Sequence, residues 1–213
     1  MRGARPFIIA LSLISLNIDK TLAYDERHLN QIKTLNSCVK CDLSKSDLRK
    51  LKAKEASLMQ ADISGSILAS GDFRSANLVK TNLRNSDLTA TKLSFANLKG
   101  ANLEKSILRY TILKNANLKG AKLRKADLSE ANLAGANLAR TNLTKAVLRK
   151  VNLEGANLTE SNFHKSILQD VNLSGANLTR ADFTDAKIEN VWFVDALFCQ
   201  TKMPWGLEAP DCR

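Results

Sequence analysis

An all-β solenoid is predicted for residues 41–205, and three observations carry it. A five-residue word repeats there without insertion or deletion, its third position is always apolar, and its small position varies in columns spaced 20 residues apart. The third position falls on every residue whose number ends in 3 or 8, from Leu43 to Met203. Leu dominates, Phe stands at Phe73, Phe163, Phe183, Phe193 and Phe198, and Ala53 is the small exception. Two residues earlier sits a small side chain such as Ala76, Ser86 or Thr91, with Leu51 the bulky exception. A unit this short cannot bury its own apolar residue and must stack on its neighbours. An amphipathic helix is excluded, because a period of five drifts around an α-helix and leaves no stable apolar face.

Four distinguishable columns predict four units per coil. One is all alanine, from Ala56 and Ala76 to Ala176 and Ala196; another is Ser or Ala; a third ends in Val151, Val171 and Val191. The expected core therefore includes Leu78, Leu98, Leu118, Leu138 and Leu158, which follow the alanine column. That wall also carries Asn77, Asn97, Asn117, Asn137, Asn157 and Asn177, whose stacked amides are expected to bond to one another along the axis. Eight coils at roughly 4.8 Å each make a rod about 40 Å long.

The word Ala-Asn-Leu, as at Ala76 to Leu78, Ala96 to Leu98 and Ala136 to Leu138, resembles the pentapeptide repeat family. The resemblance implies a right-handed quadrilateral parallel β-helix of about eight coils, with the small and Leu positions inward and the other three outward. It also implies a C-terminal tail closed by a disulfide bracket, as in secreted members of that family.

The segments outside the repeat have separate readings. Residues 1–23 read as a secretory signal: Arg2 and Arg5 precede an apolar run from Phe7 to Leu16, and Thr21-Leu22-Ala23 offers small cleavage positions. That run is too short to span a bilayer. Residues 24–40 form the N-terminal cap, with a short helix over 25–36 presenting Leu29, Ile32 and Leu35 on one face. Residues 206–213 are the tail. The mature chain is expected in an extracytoplasmic space, whether bacterial periplasm, thylakoid lumen or secreted medium. Four cysteines suit an oxidising compartment, with Cys38 and Cys41 at the start of the coils and Cys199 and Cys212 at their end, so pairing within each end is expected. A Cys-x-x-Cys redox centre is disfavoured, since no βαβ setting follows Cys41.

The formal charge is +11; beyond Ala23 there remain 29 Lys and Arg against 20 Asp and Glu, a net of +9. Two adjoining walls hold most of the excess. The wall through Leu43, Leu83 and Leu123 carries nine basic residues against five acidic, and the alanine wall five against one. The candidate basic binding edge comprises Lys105, Lys125, Lys145 and Lys165 as a ladder, Lys122 and Arg124 beside it, and Lys99, Lys119 and Arg140 on the alanine wall. Such a stack repels itself and either resists aggregation or binds a polyanion: an anionic polymer, a membrane surface or nucleic acid. Outward Ile67, Ile107, Val147 and Ile167, with Tyr110 and Ile112 nearby, form a weaker candidate for a protein partner. Trp192, Phe193, Phe198, Met203 and Trp205 gather at the C-terminal end, as a plug or as the interface of an end-to-end dimer.

No enzyme, cofactor or metal site is expected. A core filled by Leu and small side chains leaves no cleft, and His28 and His164 lack a second ligand or base at useful spacing. The expected function is an exported, non-enzymatic interaction or structural rod, monomeric or paired end to end. The alternative is a DNA-mimicking inhibitor of a type II topoisomerase, of the quinolone-resistance branch of the family. A basic rod with a signal peptide opposes it.

Overall fold

The computed structural model describes residues 25–208, so residues 1–23, the tail beyond 208 and Cys212 lie outside the described residues. From Ser37 onward the backbone pairs with itself in parallel at a constant offset of 20 residues, for example Asn77↔Asn97, Asn97↔Asn117 and Lys122↔Asn142. One coil is therefore four pentapeptides, and the chain is a β-solenoid. Most pairings are single bridges; only the wall of Val147–Arg149 (β1), Ile167–Gln169 (β2) and Lys187–Glu189 (β3) forms a continuous parallel sheet.

Residues 83–87 form a unit that uses all of its backbone donors. Leu83 and Asn85 donate to carbonyls of the next coil, at Asn102 (2.7 Å) and Glu104 (3.0 Å). Asp87 donates to Ser66 of the preceding coil (2.9 Å), and Ser86 closes a turn back to Leu83 (3.3 Å). The remaining amide, on Arg84, donates to the Asn82 side-chain Oδ1 (3.3 Å). The same bond recurs wherever Asp or Asn holds the second position, at 3.0 Å from Ser44 to Asp42 and 2.9 Å from Glu154 to Asn152. An Asx side chain there satisfies an amide that neither turn nor ladder reaches.

This bond displaces the predicted amide ladder. Asn77, Asn97, Asn117, Asn137, Asn157 and Asn177 all turn their Oδ1 onto the amide two residues ahead. Along this column only Asn117 also bonds its neighbour one coil away, donating from Nδ2 to Asn97 Oδ1 at 3.3 Å. The local bond to the amide two residues ahead wins because it rescues a backbone donor, whereas an amide–amide contact replaces two bonds that water supplies equally well.

The fifth position, at every number ending in 0 or 5 from Lys40 to Gln200, adopts positive φ, near 59° at Lys105 and 60° at Phe95. Positive φ at the third residue of a four-residue turn is the signature of type II, which prefers Gly or Asn. Three corners differ. Val151, Val171 and Val191 occupy the small position, and none donates the turn bond that Ala131 makes to Leu128 at 2.9 Å. These corners follow β1, β2 and β3, and branching at Cβ is not by itself the cause, since Thr81, Thr91, Thr111 and Thr141 hold the same position and donate the turn bond.

The interior is one continuous cluster from Ile32 to Met203, with Leu78, Leu98, Leu118, Leu138 and Leu158 each at most 1% exposed. Inward hydroxyls bond to carbonyls at the Leu position. Ser106 donates to Leu103 of its own turn (2.7 Å) and Thr81 to Leu58 of the coil before (2.8 Å). Phe163 and Phe183 stack at 4.5 Å between ring centroids.

At the N-terminal end α1 (Glu26–Leu35) is capped by Asp25, which accepts from the Arg27 amide, and stops at Asn36 in the left-handed region. Ile32 is buried and Leu29 packs against the core. Leu35 is 69% exposed, so it does not share the packed face. Cys38 and Cys41 are joined by a disulfide with 5.3 Å between Cα atoms, buried beneath the helix. At the other end Thr201–Met203 (β4) pairs antiparallel with Gly206–Glu208 (β5), covering the edge of one wall. Met203 is buried, while Phe193 and Phe198 are half-buried and tilted against each other at 5.5 Å. Trp192 and Trp205 are exposed, and Cys199 is in disulfide form.

Candidate functional site

The left-handed corners decide where the basic residues point. Lys105, Lys125, Lys145 and Lys165 share φ near 57–59° on one corner, so their side chains leave the rod where its backbone turns away from the wall. Lys99, Lys119 and Arg140 lie at a second corner, the one that ends the alanine wall. Lys122 belongs to the wall between these corners, the wall of Asn82, Asn102 and Asn142, and Arg124 shares the first corner with Lys125. The nine residues therefore form a single basic face, one wall with its two flanking corners, and not one edge shared by two walls. Sequence position gave the columns; the turn placed them at corners.

Three of the nine are compensated across coils. Arg124 binds Glu104 at 2.9 Å, Arg140 binds Glu160 at 2.8 Å, and Lys165 lies 3.9 Å from Asp185. Each pair joins residues 20 apart, which the coil register stacks directly. The hydrogen bond from Arg124 holds the Glu104 carboxyl below the usual carboxylate range, and the Arg140 bond does the same for Glu160. Lys99, Lys105, Lys119, Lys122, Lys125 and Lys145 make no ion pair among the described residues. They are exposed and adjacent, spread over three coils without ion-pair partners. Glycine at Gly100 and Gly120 interrupts the second corner with bare backbone; no atom lies within 4 Å of where a Cβ would stand at Gly120.

His28 Nδ1 lies between the backbone groups of Asp42, 3.3 Å from its oxygen and 3.2 Å from its nitrogen, with Asp25 at 3.9 Å. His164 Nδ1 is 3.0 Å from the Thr184 carbonyl and 3.8 Å from Asp185. Among the described residues no three His, Cys, Asp or Glu side chains converge to hold a metal, and no helix is long and apolar enough to cross a membrane. A depression of about 410 Å³ between α1 and the first coil is lined by Lys33, Asp47, Leu48, Arg49, Lys50 and Leu51. Among its ionic groups Arg49 holds Asp47 at 2.5 Å.

A β-solenoid of 20-residue coils built from Ala-Asn-Leu units is the architecture of pentapeptide repeats. The sequence matches the model of that family, described as Pentapeptide repeats, in eight copies over residues 56–164 and 166–200. The chain belongs to the pentapeptide repeat family. Among solved structures it is similar to HetL from Nostoc sp. strain PCC 7120, described as involved in heterocyst differentiation regulation, at 32% identity over 80% of this chain and 86% of that one, TM-score 0.35. It is also similar to a pentapeptide repeat protein of the Arabidopsis thaliana thylakoid lumen, at 34% identity over 56% of this chain and 66% of that one, TM-score 0.17. QnrB1, a plasmid-mediated fluoroquinolone resistance protein, matches at 19% identity over 74% and 89%, TM-score 0.49. No curated protein sequence matches significantly.

Proposed function

We propose that this chain is an exported, non-enzymatic rod, right-handed and of about eight coils, that holds polyanions against its basic face. The observation that carries the reading is the group of six lysines without ion-pair partners on one wall and its corners. Like charges stacked at strand spacing raise the energy of the free protein, and an anionic polymer relieves that repulsion while releasing counterions. Arg124, within this group, and Arg140, at the corner of Lys119, are held by carboxylates one coil away and lend it less free charge. Affinity then depends on charge density and falls with salt. Export after Ala23 rests on the apolar run and the small residues before Tyr24, and is tested by the N-terminal sequence of the protein recovered from the envelope.

The binding test reverses Lys105, Lys125, Lys145 and Lys165 to Glu. The circular dichroism spectrum should be unchanged, because all four side chains are exposed, and retention on immobilised heparin at low salt should be lost. Equal retention of the reversed protein overturns the reading. Topoisomerase inhibition is the other reading the family suggests, and no observation on this basic surface favours it; stoichiometric inhibition of gyrase supercoiling by the wild type would reinstate it.

A further inference from the structure

The wall opposite the basic face carries a feature that packing does not explain. Phe95 (63% exposed) and Tyr110 (47%) stand at the two corners bounding the wall of Lys92 and Ile112, one coil apart, and Ile112 (40%) lies between them. Both aromatics adopt the left-handed conformation, φ 60° and 59°, and they are the only aromatic residues with positive φ among the described residues. That conformation disfavours bulky side chains. Elsewhere on the same two corners stand Ser75, Asn115 and Gly135, and Ser70, Ala90 and Glu130. An aromatic ring there costs backbone energy and leaves apolar surface in water, so neither term of folding selects it.

The charges nearest these rings are mostly basic. Lys92 and Lys114 make no ion pair among the described residues, and Arg109 lies 5.7 Å from the centroid of the Tyr110 ring. Asp72, on the same wall one coil back, is held by Arg74 at 2.6 Å, and Glu130 stands one coil along the corner from Tyr110. We infer that this wall is a docking surface for an anionic lipid bilayer, with Phe95 and Tyr110 entering the headgroup layer and Lys92, Arg109 and Lys114 meeting the lipid phosphates. Rings that project from corners of a flat wall enter an interface that needs no complementary socket. Three partly exposed side chains offer about 300 Å² of apolar contact, well short of the roughly 800 Å² per partner typical of a stable protein interface. The basic face points the other way, so a rod docked on this wall presents its lysines to the aqueous side.

The test places a reporter at each of two diagonally opposed corners of the full-length chain. Phe95→Trp should shift its emission to the blue, and be quenched by doxyl-labelled lipid, on phosphatidylglycerol–phosphatidylcholine vesicles but not on phosphatidylcholine alone. Asn85→Trp, at a corner with the same backbone conformation (φ 57°), should show neither effect. Wild-type emission from Trp192 and Trp205 is subtracted in both. Shifts at both corners, at neither, or at Asn85→Trp alone overturn the inference. A shift for Phe95→Trp with soluble polyglutamate equal to that with vesicles would assign the wall to an acidic protein instead. The charge-reversed protein carrying Phe95→Trp should keep its lipid shift, which separates this surface from the basic face.

Discussion

Replacing Asn152 by alanine isolates the bond that sets the second position of the repeat. Asn152 Oδ1 lies 2.9 Å from the Glu154 amide, and neither the ladder nor the turn offers that amide another acceptor. The geometry is that of a helix N-cap, where loss of the side chain costs about 1 kcal/mol, in line with about 1 kcal/mol for an ordinary hydrogen bond. Asn152 is half-buried, so water reaches the freed amide and the full burial cost is not incurred. For a chain of this length about 1 kcal/mol lowers the thermal midpoint by about 2–4 °C. Asn152→Asp keeps the acceptor and should melt within about 0.5 kcal/mol of wild type. The converse gain is available at Lys52, which holds the second position without an acceptor for the Lys54 amide, so Lys52→Asn should raise the midpoint. Thermal unfolding followed by circular dichroism compares all three. Equal melting of Asn152→Ala and Asn152→Asp, or no gain from Lys52→Asn, would refute the capping argument.

Leu118, fully buried, should lose about 2–5 kcal/mol as Leu118→Ala, while exposed Lys119→Ala stays within about 0.5 kcal/mol; chemical denaturation measures both. Gly120→Ala should cost about 1 kcal/mol through backbone conformation alone, since φ is 67° and nothing stands within 4 Å of the new methyl; a larger loss would indicate a clash. Acidification should strengthen heparin retention. Glu104 and Glu160 are ionised at neutral pH, and because Arg124 and Arg140 lower their folded-state pKa values, each pairing persists below the ordinary carboxylate range and is lost only as pH falls through the lowered value, removing negative charge from the basic face. The double variant Glu104→Gln, Glu160→Gln should bind more tightly at neutral pH and gain less on acidification, as read by elution salt at each pH.

Much of this architecture was legible in the residues. An uninterrupted period of five places Leu78, Leu98 and Leu118 on one inward column, because any other winding would expose them, and the alanine and valine columns mark the offset of 20 that the backbone pairing displays. Membership of the family follows from the same word. The left-handed corners were also signalled, by Gly65, Gly100, Gly120, Gly135, Gly155 and Gly175 at the fifth position, a cue that the Leu periodicity overshadowed. The tertiary structure alone decided what the polar side chains do. Asparagine can bond along the stack or back onto its own turn, and the unsatisfied amide two residues ahead settles the choice. The turn bond is missing at Val151, Val171 and Val191 yet kept at Thr81 and Thr91, which are branched at Cβ in the same way, so the column of small residues does not by itself announce which corners open. The basic face owes its extent to pairings such as Arg124 with Glu104, which depend on rotamers across coils and on the direction each corner gives its side chain. Apolar burial obeys a period along the chain, whereas polar satisfaction depends on which donor and acceptor the folded backbone brings within reach.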